Sequence, residues 1–298
     1  MEASTLGNRY RLIEPLGQGG MAVVFRAWDK SCDRFVAIKK IHKHLCEHQG
    51  VRGRFQFEAK AISQVEHPNI VKFLDYSGQE SKDLWIAMEL LEGSDLIDYI
   101  DRSQKGYLAP LPAVLIFNDI AGALKEVHRN NIIHRDIKPE NIMILHSGHV
   151  KLMDFGIARD VHLGNLTQVG DFLGSPNYMS PEQIRGANLD KQADIYSLGV
   201  VLFRMLTGQL PFDGQNHHEI CMKILLGHYK PPNEIQSGIS PILLRIVTRC
   251  LALKPEQRYE SIEHLLLDVH DFLVLSKDRH FRKRNKTIIS SSSPKQRA

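Results

Sequence analysis

Apolar positions along the chain follow two periods, a short one in the first ninety residues and a helical one after them. From Tyr10 to Trp28 two short apolar runs flank Gly17-Gln18-Gly19-Gly20-Met21-Ala22, which predicts two strands joined by a turn. Val36-Ala37-Ile38-Lys39 predicts a third strand. Between Val51 and Val65 the residues Phe57, Ala61, Ile62 and Val65 recur at a helical spacing, with Glu58 beside the stripe and able to face a sheet. His67-Pro68-Asn69-Ile70-Val71 breaks that helix and opens a strand, and Leu84 to Leu90 reads as another. These runs predict a five-stranded antiparallel sheet. Beyond it, Phe117, Ile120, Leu124 and Val127 form a stripe within Leu111 to Asn130. Ile195, Leu198, Val201, Leu202 and Met205 form a second within Lys191 to Thr207, suited to a helix buried in a large core. The short run Ile142-Met143-Ile144-Leu145 between them predicts a hairpin strand.

Composition changes the picture at one end. The 298 residues carry a net charge of +4, but residues 277–298 hold eight Lys or Arg against one Asp, leaving 30 basic and 33 acidic side chains, a net −3, for the rest. The body is mildly acidic and has no general nucleic-acid footprint. Residues 276–298, basic and Ser-rich, predict a disordered tail, or alternatively a contact with an anionic membrane surface. Cys32, Cys46, Cys221 and Cys250 form no Cys-x-x-Cys pair, which suits buried free thiols in a reducing compartment. The first residues lack the basic and apolar regions of a signal peptide, and no apolar run reaches the roughly 20 residues of a membrane span. A cytoplasmic protein is expected, membrane-associated if the natural chain continues beyond residue 298. In His42-Lys43-His44-Leu45-Cys46-Glu47-His48 alternate donors face one side only if the segment is extended, so a solvated loop is expected in preference to a zinc site.

The candidate chemistry lies in His134-Arg135-Asp136-Ile137-Lys138-Pro139-Glu140-Asn141, followed after the hairpin run by Asp154-Phe155-Gly156. Asp136 and Asp154 offer carboxylates, Lys138 a cation and Asn141 an amide oxygen. Phosphoryl transfer to an alcohol needs such a set: oxygen ligands for a metal on the phosphates, a cation for the moving phosphoryl group, and a carboxylate facing the hydroxyl. An aspartate with a pKa of about 3.9 is a weak base, so Asp136 is expected to orient the hydroxyl more than to ionise it.

This stretch resembles the catalytic loop and metal-binding triplet of eukaryotic-like (Hanks-type) serine/threonine protein kinases, closest to their bacterial branch. The resemblance covers residues 10–275 and implies an α+β, two-lobed protein kinase fold: a small antiparallel-sheet lobe with one helix over residues 10–90, and a larger, mainly helical lobe over 91–275. It implies ATP and Mg²⁺ as cofactors, with Mn²⁺ as the alternative ion. Leu16, Gly17, Gly19 and Gly20 would border the phosphates, although Ala22 stands where the pattern has its third glycine; a Walker-type loop is excluded, because no Gly-Lys-Ser/Thr follows. Lys39 would contact the α- and β-phosphates with Glu58 as its counter-ion. Asn141 and Asp154 would hold the metal. The Glu89 carbonyl and Leu91 N–H would pair with adenine, with Val24, Ala37 and Met143 around the ring. Asp95 would reach the ribose or cap a helix. Asp194 would hold the backbone N–H groups of His134 and Arg135, or simply cap its helix, and Glu182 would pair with Arg258.

Asp154 to Glu182 corresponds to the activation segment, and Lys138 two residues after Asp136 matches the Ser/Thr-specific pattern. Ser175 and Ser180 depart from the usual Thr and Ala. The implied partners are proteins with Ser or Thr acceptors, among them a second copy of the chain that would phosphorylate Thr167 and balance Arg135; no nucleic acid is expected. Two rival readings stand beside this one: a pseudokinase scaffold with the fold but no chemistry, and a small-molecule phosphotransferase, which would lack the peptide-docking segment.

Overall fold

A computed structural model describes residues 5–47, 49–78, 81–155 and 176–291. Strands come first. β1 (Thr5–Leu6), β2 (Tyr10–Gln18), β3 (Ala22–Asp29), β4 (Arg34–Ile41), β5 (Phe73–Tyr76) and β6 (Trp85–Glu89) form an antiparallel sheet in the order β1-β2-β3-β4-β6-β5. Six strands replace the expected five because Thr5 and Leu6 add a short edge opposite Arg11 and Tyr10. The period of two sets both faces of the sheet. Val36 and Ile38 pack with Tyr10, Ala27, Trp85 and Ala87, while Ala37 and Ile41 pack with Ile86 and Met88 on the side that receives a helix.

That helix is α2 (Gln49–Ile62), which follows the short α1 (Lys43–Cys46). Its buried stripe is Val51, Phe55, Ala59 and Ile62, not the one centred on Phe57, whose side chain is 76% exposed. Two stripes of helical period overlap in this stretch, and the longer one, which begins at Val51, has the sheet to pack against. After Ile62 the chain crosses to the other lobe and is stitched to it. Val71 N donates to Leu152 O at 2.9 Å, Leu152 N to Asn69 O at 2.8 Å, and the Asn69 amide to Val150 O at 2.9 Å.

The second lobe opens with α3 (Leu96–Asp101) and α4 (Pro110–Arg129), and carries a small sheet of β7 (Gly93–Asp95), β8 (Ile142–Leu145) and β9 (Val150–Leu152). Phe117, Ile120, Leu124 and Val127 of α4 are all fully buried, as their spacing predicts. The remaining helices are α5 (Pro181–Ile184), α6 (Gln192–Thr207), α7 (His217–Leu226), α8 (Pro232–Ile235), α9 (Pro241–Cys250) and α10 (Ile262–Ser291). From Ala193 to Phe203 every residue of α6 is buried, on all sides of the helix, as expected of a core helix. It stops at Gly208, in the left-handed region at φ 74°, where a side chain would run into the Gly106 carbonyl.

α10 runs on to Ser291, so the expected tail begins as a continuation of the last helix. Neither Gly nor Pro interrupts the chain between Ile262 and Ser291, and a helix already nucleated on the core propagates until something stops it. Among the described residues no helix is long and apolar enough to cross a membrane. Cys46, Cys221 and Cys250 are buried free thiols, whereas Cys32 is exposed.

Candidate active site

α4 delivers the chain to the catalytic stretch, and a buried carboxylate on α6 fixes its course. Asp194, 1% exposed, accepts from His134 N at 2.8 Å, Arg135 N at 2.9 Å and the ring of His128 at 2.7 Å. Burial alone would raise its pKa, but these donors outweigh burial and hold the carboxyl below its ordinary value. The expectation for Asp194 is met in geometry. His128 was not anticipated, although it lies four residues beyond Leu124 on the stripe of α4, and a histidine on a buried face needs a partner.

His134 is completely buried, and burial pushes its pKa down. Its Nε2 donates to Met153 O at 3.0 Å, Asp136 N approaches its Nδ1 at 3.3 Å, and the ring packs on Phe155 with centroids 4.5 Å apart. A neutral imidazole carrying its proton on Nε2 satisfies both bonds. Arg135 and Asp154 sit at φ 67° and 52°. Each left-handed non-glycine residue costs about 1–3 kcal/mol and persists only where its surroundings over-determine it. For Arg135 these surroundings include Asp194 on its N–H and Gln183, whose amide donates to its carbonyl at 2.9 Å. Gln183 is itself positioned by a capping box with Ser180, its side-chain oxygen accepting from Ser180 N at 2.9 Å while its own N donates to Ser180 Oγ at 3.3 Å. Ser180-Pro181-Glu182-Gln183 was a legible sequence signal for that box. Alanine could not make it.

The polar groups of the site converge. Asp136 Oδ2 lies 3.1 Å from Lys138 Nζ and accepts from Asn141 Nδ2 at 2.9 Å, and the same Nδ2 donates to Asp136 O at 2.7 Å. Met153 N donates to Asn141 O at 2.8 Å, which brings Asp154 alongside the loop. With both amide donors directed at Asp136, Asn141 has its Oδ1 left to offer, an oxygen ligand that suits Mg²⁺ next to the Asp154 carboxylate.

Lys39 does not pair with Glu58. Its Nζ is 2.8 Å from Asp154 Oδ1, and Glu58 Oε1 is instead 3.3 Å from Arg135 Nη1. Two carboxylates compete for one ammonium here, and Asp154 holds it while Arg135 draws Glu58 toward the catalytic loop. Burial would raise the Asp154 carboxyl, yet Lys39, with Lys138 behind it, keeps it below the ordinary value. Behind this pair of contacts lies a cavity of about 130 Å³ between Phe57, Glu58, Ala61, Ile132, Arg135 and Phe155.

The residues expected around the nucleotide are drawn from both lobes. Val24, Leu90, Leu91 and Met153 pack against a cluster containing Ala22, Ala37 and Met88, while Met143 lies on β8 opposite Asp95 and Lys151. Leu16 is half exposed, and a Cβ built on Gly17 would meet nothing within 4 Å, so this glycine faces open space. Asp95 caps α3, accepting from Asp98 N at 2.8 Å. Glu89 ends β6 with its side chain turned to Lys151 Nζ at 2.7 Å and Lys72 N at 2.9 Å, a tie across the lobes that the sequence did not suggest. Glu182 and Arg258 form a buried two-point ion pair at 2.7 and 2.9 Å. Gly156, Thr167 and Ser175 lie outside the described residues. Lys43 to Cys46 are helical, not extended, and among the described residues no group of three His, Cys, Asp or Glu is placed to hold a metal.

Comparison with known proteins identifies one family. A family model described as "Protein kinase domain" matches residues 10–270. Serine/threonine-protein kinase PrkC of Bacillus subtilis is 39% identical over 264 residues, 89% of this chain and 40% of the relative. Serine/threonine-protein kinase pkn3 of Myxococcus xanthus is 38% identical over 269 residues, 87% of this chain and 49% of the relative. The chain thus spans less than half the length of these curated relatives. The crystal structure of the Mycobacterium tuberculosis PknI kinase domain shares the fold, with a TM-score of 0.72, 23% identity, and coverage of 91% of this chain and 99% of that one.

Proposed function

The chain belongs to the protein kinase domain family, and from that premise we propose that it transfers the γ-phosphate of ATP to Ser and Thr hydroxyls of proteins. The observation that carries the reading is the convergence of Asp136, Lys138, Asn141, Asp154 and Lys39 through contacts of 2.8–3.1 Å. Asp136, steadied by Asn141 and Lys138, receives and orients the acceptor hydroxyl and takes its proton late. Lys138 stays beside Asp136 and offsets charge on the phosphoryl group in transit. Lys39 binds the α- and β-phosphates. Asn141 Oδ1 and Asp154 would hold Mg²⁺, which when bound neutralises charge on the phosphates. Val24, Ala37 and Met143 enclose the adenine, the Glu89 carbonyl and Leu91 N–H pair with its edge, and the Gly-rich turn covers the phosphates.

In this reading the described ion pairs are resting pairs. Transfer in kinases requires the lysine of this strand beside the glutamate of this helix and the aspartate on the metal. Lys39 must therefore leave Asp154, and Glu58 must leave Arg135. Autophosphorylation of Thr167 in trans would supply an anion of about −1.5 to −2 charges to take the place of Glu58 at Arg135. The basic stretch after residue 276 would add a contact with anionic lipid.

The test is label transfer from γ-labelled ATP to a generic protein acceptor, with Asp136→Asn as the control. Nucleotide binding without transfer by the wild type would point to a scaffold. Transfer to aminoglycosides or choline but not to protein would point to a small-molecule enzyme.

A further inference from the structure

His42 stands directly after β4, three residues beyond Lys39, and holds the Gly-rich turn by two bonds. Its backbone N donates to Met21 O at 2.9 Å, and its ring Nε2 lies 2.9 Å from Gly19 O. A carbonyl only accepts, so the ring carries its proton on Nε2. The ring is held in place from behind. The His42 carbonyl accepts from Leu45 N at 3.0 Å and Cys46 N at 3.3 Å at the start of α1, and the ring stacks on His44 with centroids 5.7 Å apart and planes at 14°.

We infer that His42 is a positioning residue for the nucleotide phosphates, setting the orientation of the Gly19–Gly20 peptide. The Gly19 N–H is already used inside the turn, on Ala22 O at 2.9 Å. In a planar trans peptide the C=O and the following N–H point in opposite directions, so drawing the Gly19 carbonyl to the ring turns the Gly20 N–H away from it. The bond from His42 N to Met21 O extends the β3–β4 ladder one residue past Ala22 and Ile41, which gives residue 42 the parity opposite to Lys39 and turns that N–H toward the face from which Lys39 reaches the phosphates. A glycine turn without such an anchor would sample both orientations, because glycine pays no steric cost in either. The ring therefore selects the donor-inward turn before nucleotide arrives and reduces the ordering that binding must otherwise impose. Nothing in this requires His42 to touch the nucleotide.

The inference rests on the kinase reading, and the test separates the two. Binding of Mg²⁺–ATP and of adenosine to the full chain is measured by titration calorimetry for wild type, His42→Phe, which keeps a stacking ring without a donor, and His42→Gln, whose amide nitrogen can reach the same carbonyl. His42→Phe is expected to weaken ATP about fivefold, the weight of one neutral hydrogen bond, with adenosine unchanged within about twofold. His42→Gln is expected to restore ATP affinity. In transfer assays the loss should fall on KM for ATP, with kcat within about twofold. Equal losses for ATP and adenosine, an unchanged ATP affinity in His42→Phe, or a His42→Gln protein that behaves as His42→Phe would each overturn the role. Should His42→Phe unfold, His42→Leu, which also lacks a donor, takes its place with the same expected and overturning outcomes. A wild-type chain that binds no ATP would overturn the kinase reading, and the inference with it.

Discussion

Replacing Asp194 by Asn tests whether one buried carboxylate holds the catalytic loop. The side chain keeps its shape but exchanges an acceptor for a donor, while three donors converge on it at 2.7–2.9 Å. Whichever way the amide turns, its NH₂ faces an N–H group. One charge-assisted bond worth about 1.5–3 kcal/mol is lost, and one buried donor is left unsatisfied at about 1–3 kcal/mol. The expected loss is thus about 2.5–6 kcal/mol, a large part of a domain's stability of about 5–15 kcal/mol. His128→Phe removes one of the three donors and leaves the carboxylate on the two backbone groups, so it should cost about 1–2 kcal/mol. Urea denaturation followed by circular dichroism reads both. The pH dependence carries a sign. Because the folded pKa of Asp194 is depressed, its contribution is complete above the unfolded value of about 3.9 and is lost as pH falls through the lower folded value. The gap between wild type and Asp194→Asn should therefore stay constant from neutral pH to about pH 4 and narrow only below it. An Asp194→Asn protein within about 1 kcal/mol of wild type, or no less stable than His128→Phe, would show that the loop is held by something else.

Lys39→Met should abolish label transfer while shifting stability by no more than about 1 kcal/mol, since the Lys39–Asp154 pair is partly exposed; wild-type transfer rates would remove Lys39 from the mechanism. The His134 imidazole, depressed by burial, should titrate at lower pH than an ordinary histidine in nitrogen NMR spectra. Its contribution to stability should be complete above the unfolded value of about 6.5 and decline as pH falls below it, and a His134 found protonated at pH 6.5 would contradict the placement. Thr167→Ala should lower kcat toward protein substrates with ATP affinity nearly unchanged; full activity, with Thr167 unmodified by mass spectrometry, would rule out the switch. A chain ending at Leu275 should sediment less with anionic vesicles than the full chain, by about 1 kcal/mol of binding for each basic residue near the surface, and equal sedimentation would dismiss the tail contact.

What the sequence disclosed follows from how local each feature is. The stripes of α4 and α6 were readable because Phe117, Ile120, Leu124 and Val127, like Ile195 and Leu198, have one packing partner, the core. α2 was readable as a helix but not in its orientation, because Phe57 and Phe55 belong to overlapping stripes and only the sheet decides between them. The partner Lys39 takes in this structure was not legible for a different reason. Motif position puts two carboxylates within reach of one ammonium, and the choice depends on where α2 sits, which no local pattern encodes. The helical start of the basic stretch was not legible, because charge composition argues for solvation and says little about a helix whose first turns are already packed. His128 and Gln183 were within reach, one as a histidine on an apolar stripe and the other as the third residue after a capping serine.

Among the described residues, and apart from the ion pairs of Lys39, Glu58 and Glu89, the backbone joins the lobes at two places: the chain passing from Glu89 into Gly93, and the stitch of Asn69 and Val71 onto Val150 and Leu152. Two fixed points define a line. A body held at two points keeps one free motion, rotation about the line between them, and loses sliding and twisting. With the ion pairs open, these two attachments leave the cleft one angle to open by, so the Gly-rich turn and Asp136 part and return along the same arc. A hinge of this kind needs no guide to bring its two leaves back into register.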